Sequence, residues 1–264
     1  MQETRGRRLR PGEASPKPLA GRAALVTGGS RGIGRAIALA LGRAGATVVV
    51  NFRRAAGPAA ECVAAIRRMG GTADAVRADV TRPADVARMF GWIDRRFGRL
   101  DVLVGNAGIA PAAPGLARVS VRTWRRTLET NLTGVFLCLR EAAPRMARRR
   151  SGRIVLLGSL AGSKGGTIGP HYAASKAALL GLMQWSFREL ASFGVTVNVV
   201  APGFVESRLS AHAYATPRAR AAMAAKAPLG RIGTPEEIAA LVLFLAGPDA
   251  GYITGECITI AGGR

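Results

Sequence analysis

The sequence predicts a single-domain, doubly wound α/β fold, a parallel sheet of about seven strands with helices on both faces. Short, continuously apolar segments alternate with segments of helical periodicity, and strands that are apolar on both sides belong in a parallel sheet covered by helices. Helical segments end on glycine stops, and no linker or shift of composition interrupts the alternation after residue 20. Right-handed crossovers then wind the chain outwards from a switch point, where ligands bind at the carboxyl ends of the strands. One domain is expected over residues 19–264, after a basic tail over residues 1–18.

Residues 23–28 (AALVTG) are the first strand, and 31–45 form a helix with apolar spacing that stops on Gly45. Residues 46–52 (ATVVVNF) are the second strand, 58–71 a helix with its own glycine stop, and 72–80 the third strand. Pro83 opens the third helix in its first turn, where the missing N–H costs nothing. Residues 100–108 read as the fourth strand, and one long helix is expected over 121–149. The fifth strand is 152–159, a helix covers 171–194, and the sixth strand is 195–203. Residues 206–228, polar and Ala-rich, are expected to form a mobile pair of helices. Thr234 caps a helix over 234–247 with Glu236 and Glu237 in its first turn, where carboxylates suit the helix dipole. A last strand lies within 255–263.

Lys and Arg number 38 against 16 Asp and Glu, a formal net charge of +22. Such an excess raises nucleic acid or a membrane surface as partners. The basic residues are nearly all Arg, spread from Arg5 to Arg264, and an Arg-rich, Lys-poor composition reflects genome base composition as readily as selection for a polyanion. No nucleic-acid module or aromatic-basic platform is recognisable, and no run of about 18 apolar residues could span a bilayer. Neither partner is expected. Cys62, Cys138 and Cys257 lie far apart, and His171 and His212 are isolated, so neither a disulfide framework nor a metal cluster is indicated and a cytoplasmic location is expected. The first 18 residues lack the apolar core of a secretory signal and read as a disordered tail.

The first strand leads through Thr27-Gly28-Gly29-Ser30-Arg31-Gly32-Ile33-Gly34 directly into a helix. Glycines let the backbone turn tightly and approach a pyrophosphate, and a helix N-terminus offers free N–H groups and partial positive charge. Placed after the first strand of a βαβ unit, the loop is a dinucleotide-binding signal. Tyr172 and Lys176 are spaced i,i+4 and share one helix face. A phenol is a poor proton donor or acceptor near neutrality, and a neighbouring ammonium is expected to stabilise its phenolate and draw its pKa down, towards the range of efficient general acid–base catalysis. Ser159 is suited to hydrogen-bond a substrate oxygen as charge develops there. His171 reads as a pocket-wall or surface residue. The end of the second strand, Asn51-Phe52-Arg53-Arg54, offers no acid to the adenosine ribose hydroxyls. Arg53, with Arg31 from the glycine loop, suits a 2′-phosphate instead. NADP(H) is the expected cofactor and NAD(H) the alternative.

These motifs together resemble the short-chain dehydrogenase/reductase family over residues 19–263. The resemblance rests on the T-G-x-x-x-G-x-G spacing of the loop and on Gly105-Asn106-Ala107-Gly108 where the family has N-N-A-G. Asn131 in the long helix, Ser159, Tyr172-Ala-Ala-Ser-Lys176 and Pro202-Gly203 complete it. It implies a Rossmann-like fold and a catalytic set of Asn131, Ser159, Tyr172 and Lys176. In the family the Lys also holds the nicotinamide ribose hydroxyls, and the Asn supports a water-linked proton relay. The implied cofactor-binding positions begin with Gly28, Ser30, Arg31, Gly32, Ile33 and Gly34 in the loop, then Phe52 and Arg53, and Asp79 and Val80 at the adenine. They continue with Asn106, Ala107, Gly108, Tyr172, Lys176, Pro202, Gly203, Val205 and Ser207; no metal is implied, and a homotetramer is. Three positions depart from the pattern. Gly105 removes a side chain that helps tie the sheet together, Ala261 stands where D-G-G is common, and Ser207 stands where a Thr often touches the nicotinamide amide.

Within the family the chain looks most like the bacterial 3-oxoacyl-[acyl-carrier-protein] reductases, through residues 197–206 and 148–154. The resemblance implies NADPH-dependent reduction of a ketone to a secondary alcohol with Tyr172 as general acid, on a small molecule or a substrate held by an acyl carrier protein. In that group a base at the position of Arg150 meets the acidic carrier; a second docking Arg is expected where this chain has Phe193, while Arg188 stays compatible with an acidic partner. Reductases of sugars, polyols, steroids and secondary-metabolite ketones share the pattern and are the alternative. A family member that binds without catalysing is the remoter one.

Overall fold

The computed structural model describes residues 17–113, 115–206 and 216–264. Seven strands form one sheet: β1 (Ala23–Val26), β2 (Thr47–Phe52), β3 (Thr72–Arg77), β4 (Val102–Gly105), β5 (Gly152–Leu157), β6 (Val195–Pro202) and β7 (Cys257–Ile260). All neighbours are parallel, in the order β3-β2-β1-β4-β5-β6-β7. The order reverses between β1 and β4, so the carboxyl ends of those two strands border the crevice where doubly wound sheets bind ligands.

Strand residues alternate between the two faces, and both faces are buried. Val26, Val50, Val104 and Val155 join the core under α1 (Gly32–Arg43), α2 (Ala56–Arg68) and α9 (Pro235–Ala246). Their neighbours Leu25, Val49, Leu103 and Leu156 join the core under α3 (Pro83–Phe97), α5 (Gly134–Arg149) and α7 (Pro170–Leu190). This double burial explains why the strands read as unbroken apolar runs. Helix ends follow the expected chemistry. The Thr234 hydroxyl accepts from the Glu237 N–H at 3.3 Å and the Glu237 carboxylate accepts from the Thr234 N–H at 2.8 Å, a complete capping box. Pro83 starts α3, and Gly98, with φ of 65°, ends it.

The expected helix over 121–149 is not one regular helix. It comprises α4 (Val121–Leu128), a π-helical turn (Glu129–Thr133) and α5. The widened turn faces Asn131 inwards, while the following Gly134 sits where a Cβ would be 2.8 Å from Val80 Cγ2. Such single π-turns inside α-helices concentrate at functional sites. Of the pair of helices expected over 206–228, one lies among the described residues, α8 (Pro217–Ala224), capped by the Thr216 hydroxyl; residues 207–215 lie outside the described residues. The helix expected over 171–194 ends in a 3₁₀ turn, Ala191–Phe193, and the short helix α6 (Ala161–Lys164) and the 3₁₀ turn Leu116–Arg118 have no counterpart in the sequence pattern, because single turns carry no readable periodicity. Among the described residues, no helix is long and apolar enough to cross a membrane.

Candidate active site

The glycine loop closes the carboxyl end of β1 against that of β4. Gly28 and Gly32 adopt φ of 62° and 50°, a region that side chains disfavour. A Cβ on Gly34 would stand 2.5 Å from both the Gly28 carbonyl oxygen and Asn106 Nδ2, so the first turn of α1 can approach the loop only without a side chain. Asn106 Nδ2 donates to the Thr27 and Gly28 carbonyls at 2.8 and 3.2 Å, and the Thr27 hydroxyl accepts from the Asn106 and Ala107 N–H groups. The start of α1 has no side-chain cap, which leaves its first N–H groups for an anion. These observations fit the pyrophosphate of a dinucleotide.

Asn51 is a residue that the sequence reading passed over. Buried at the end of β2, its Oδ1 accepts from the Gly28 N–H at 3.2 Å and its Nδ2 donates to the Ala78 carbonyl at 3.1 Å, tying the loop to β2 and to the chain after β3. A polar residue at the end of the apolar run VVVNF was the available signal. Parallel register also brings a carboxylate to Arg53, although the second strand itself has none: Asp79 lies 3.5 Å from the guanidinium. Arg53 is half exposed, so the pair is weak and yields readily. Asp79 further accepts from the Thr81 N–H and hydroxyl. Phe52 packs on the α1 side of the core, and Val80 is buried against Gly134. Ser30 is buried and Arg31 exposed at the loop.

A cleft of about 180 Å³ opens beside the loop at the carboxyl ends of β4, β5 and β6. Of the expected positions it is lined by Ile33, Asn106, Gly108, Ser159, Tyr172 and Lys176, and by Pro202, Gly203 and Val205. Gly28, Ser30, Arg31, Gly32, Gly34, Phe52, Arg53, Asp79 and Val80, which follow β1, β2 and β3, and Ala107, which follows β4, stand outside it. Ser207 lies outside the described residues. Ile109, Leu160, Ile168, Phe204 and Arg264 also line the cleft and were not anticipated; they come from loops far apart in sequence.

Tyr172 and Lys176, on successive turns of α7, are both buried. Lys176 Nζ donates to the Leu157 carbonyl at 2.6 Å and lies 5.8 Å from the centre of the Tyr172 ring. Burial pushes the Lys176 ammonium down to about 8. Burial also raises the Tyr172 phenol above its ordinary range, with a hydrogen bond from Ser159 pulling the other way. Where a lowering by Lys176 was expected the direction is upward: burial is the larger effect on the phenol, and the ammonium is directed at a backbone carbonyl. The phenol therefore keeps its proton near neutrality and stands with it in the cleft.

Asn131 is fully buried behind Gly108. Its Oδ1 accepts from the Ile109 N–H at 2.8 Å, and its Nδ2 donates to the Ile109 carbonyl at 2.9 Å and to Ser175 Oγ at 3.0 Å. It thus fixes the loop after β4 to the helix that carries Tyr172. His171 serves the same junction and is no surface residue. It is wholly buried, its Nε2 is 2.8 Å from the Pro111 carbonyl, and its Nδ1 has no partner among the described residues. At Gly105, a Cβ would meet Leu156 Cδ2 at 3.0 Å and Val135 Cγ1 at 3.4 Å; apolar packing fills the space of the missing Asn. Gly203 lets the segment at Ala261 approach, since a Cβ there would be 2.7 Å from that of Ala261. Arg150, at φ of 51°, donates to the Ser192 carbonyl and stacks 5.9 Å from the centre of the Phe193 ring.

The family model described as "Enoyl-(Acyl carrier protein) reductase" matches residues 28–264. The chain is 42% identical over 246 residues to the 3-oxoacyl-[acyl-carrier-protein] reductase of Synechocystis sp., covering 93% of this chain and 97% of the relative. It is 42% identical over 242 residues to 3-oxoacyl-[acyl-carrier-protein] reductase FabG of Staphylococcus aureus, covering 92% and 97%. A crystal structure of a short-chain type dehydrogenase/reductase from Mycobacterium marinum superposes with a TM-score of 0.87 at 35% identity, over 94% of this chain and 96% of that one. With the parallel sheet, the glycine loop and the Ser159, Tyr172 and Lys176 cluster, these likenesses establish that the chain belongs to the short-chain dehydrogenase/reductase family and is an NAD(P)-dependent oxidoreductase.

Proposed function

We propose that the protein is an NADPH-dependent 3-oxoacyl thioester reductase, with the acyl group presented by an acyl carrier protein. The observation that carries the reading is the meeting of Ser159, Tyr172 and Lys176 at one wall of a cleft that adjoins the glycine loop. When bound, the nicotinamide supplies hydride to the ketone carbon. Ser159 holds the ketone oxygen by its hydroxyl, and Tyr172 donates the phenolic proton to that oxygen as the charge builds, which completes the alcohol. Lys176 keeps positive charge beside the phenol, offsets the phenolate left behind, and holds ribose hydroxyls. Asn131 positions Ile109 and Ser175; its Oδ1 keeps one lone pair with which to support a water-linked return of the proton.

Preference for NADPH over NADH is supported by Arg31 and Arg53 at the loop and the end of β2. The carrier assignment is supported by the names of the relatives and by Arg150, whose guanidinium shares the surface with Phe193. Assembly as a homotetramer is in keeping with large apolar side chains left exposed at Trp124, Phe136 and Trp185. A reducing, cytoplasmic location is in keeping with free thiols at Cys62, Cys138 and Cys257.

The test is a panel of ketones with NADPH consumption as the readout, comparing a 3-oxoacyl thioester with cyclic, sugar and steroid ketones. The thioester should give the highest kcat/KM. A sugar or steroid ketone turned over faster would move the assignment to that substrate, and failure of every ketone would leave a binding protein without catalysis.

A further inference from the structure

The reaction cleft holds a cation that the chemistry above does not use. Arg264 lines the same cleft as Tyr172 and Lys176, and its guanidinium lies 4.1 Å from the centre of the Phe204 ring. Lys226 Nζ stands 6.0 Å from the same centre. The cleft is also lined by the apolar side chains of Ile109, Leu160, Ile168 and Val205. Arg264 also borders a smaller hollow lined by Arg231 and Glu237, and so stands where the cleft adjoins it. The carboxylates of this region are already engaged, Glu206 with Arg220 and Glu237 with Arg231. Among the described residues, no carboxylate side chain pairs with Arg264 or Lys226.

Stacking on an aromatic face fixes the plane of a guanidinium and leaves its edge free. That edge presents a planar fork of donors matched to a carboxylate, and the apolar lining strengthens the attraction by excluding water. A plain alkyl tail gains from the apolar lining but leaves the guanidinium edge unpaired, whereas a chain that ends in a carboxylate gains from both.

We propose that Arg264, seated on Phe204 and flanked by Lys226, is a carboxylate subsite of the cleft, and that the preferred substrate is a ketone whose chain ends in a carboxylate. The inference rests on the carbonyl reduction proposed above and narrows it: the substrate is a 3-oxoacyl thioester with a carboxylate at the far end of its acyl chain. A free keto acid shares the same recognition chemistry.

Two matched pairs of substrates test it, each differing in one terminal group. The N-acetylcysteamine thioesters of 3-oxoadipate and 3-oxohexanoate form the first pair, and 4-oxopentanoate and 2-pentanone the second. The full chain should favour 3-oxoadipyl over 3-oxohexanoyl thioester by about tenfold in kcat/KM, the scale of a charge-assisted hydrogen bond. Arg264→Met and Arg264→Gln should each abolish that ratio, and Lys226→Met should reduce it by roughly threefold, as an exposed charge would. A full chain that reduces 3-oxohexanoyl thioester equally well or better overturns the proposal. So does a ratio that survives both Arg264 substitutions, or a loss of NADPH affinity in them without a change of ratio. If neither thioester reacts but 4-oxopentanoate outruns 2-pentanone through Arg264, the subsite stands and the thioester reading falls. If all four compounds are inert, both fall.

Discussion

The two ends of the central strands bury polar groups in different ways. At the amino ends, Asp101 is inaccessible, yet its Oδ2 accepts from the Ala23 N–H at 2.8 Å and Arg99 donates to both its oxygens at 2.6 Å. The same hydrogen bonds hold the Arg99 guanidinium above its usual range. At the carboxyl ends, Lys176 is buried with the Leu157 carbonyl as its hydrogen-bond acceptor, Tyr172 is buried with its phenol raised, and His171 Nδ1 has no partner among the described residues. Ion pairing offsets burial at one end and raises Arg99; at the other no ion pair does so, and burial itself lowers Lys176 and raises Tyr172. Buried polar groups with incomplete pairing are costly, and a fold tolerates them where they act.

Tyr172→Phe tests the carboxyl end most severely: kcat should fall by about a thousandfold, the middle of the range for a lost general acid, while fluorescence titration still shows NADPH binding. Turnover at the parent rate would remove Tyr172 from the chemistry. The matching test at the amino end is Asp101→Asn, which removes the charge from a buried carboxylate whose Arg99 partner is about one-third exposed and should cost about 1 kcal/mol of stability. Thermal melting should show that loss, with kcat retained at temperatures where the variant is folded; a fall in kcat without a fall in Tm would erase the contrast between the two ends. His171→Phe keeps the buried ring but releases Pro111, so the loop that carries Ile109 loosens over the cleft. KM should rise by about tenfold with a smaller change in kcat, on the scale of an unsatisfied buried group, and an unchanged KM would make His171 a packing residue only. Arg53→Asp should move cofactor preference towards NADH by several-fold, a modest effect for a half-exposed cation already shared with Asp79. An unaltered NADPH to NADH ratio would assign the 2′-phosphate to Arg31 and other cations.

Much of this was legible in the sequence because it depends on neighbours in the chain. Continuous apolar runs such as AALV and TVVV reported strands buried on both faces, and the capping box at Thr234 and Glu237 reported a helix start. Tyr172 and Lys176 were legible as a pair because a helix fixes i,i+4 geometry. The π-turn at Asn131 was not, since one widened turn barely disturbs the apolar spacing on either side of it. The proton affinity of Tyr172 was misjudged because a neighbouring ammonium can be read from spacing, whereas the depth of the cleft is a property of the whole fold. The meeting of Arg53 with Asp79, of His171 with Pro111, and of Arg264 with Phe204 depends on register and loop closure between distant segments. No local pattern encodes such contacts.

The central claim is that Tyr172, buried at the carboxyl ends of the strands, delivers a proton to a ketone while the Lys176 ammonium supports it. A lysine carries its charge below its pKa, and burial brings that of Lys176 to about 8; the raised phenol of Tyr172 keeps its proton through the same range. The pH dependence of kcat/KM for reduction of a 3-oxoacyl thioester therefore tests the claim most directly. The rate should be level on the acid side of pH 8 and fall as pH rises through it, as the ammonium is lost. A rate that stays level to about pH 10, the ordinary range of both side chains, or that rises as Lys176 loses its proton, would contradict it.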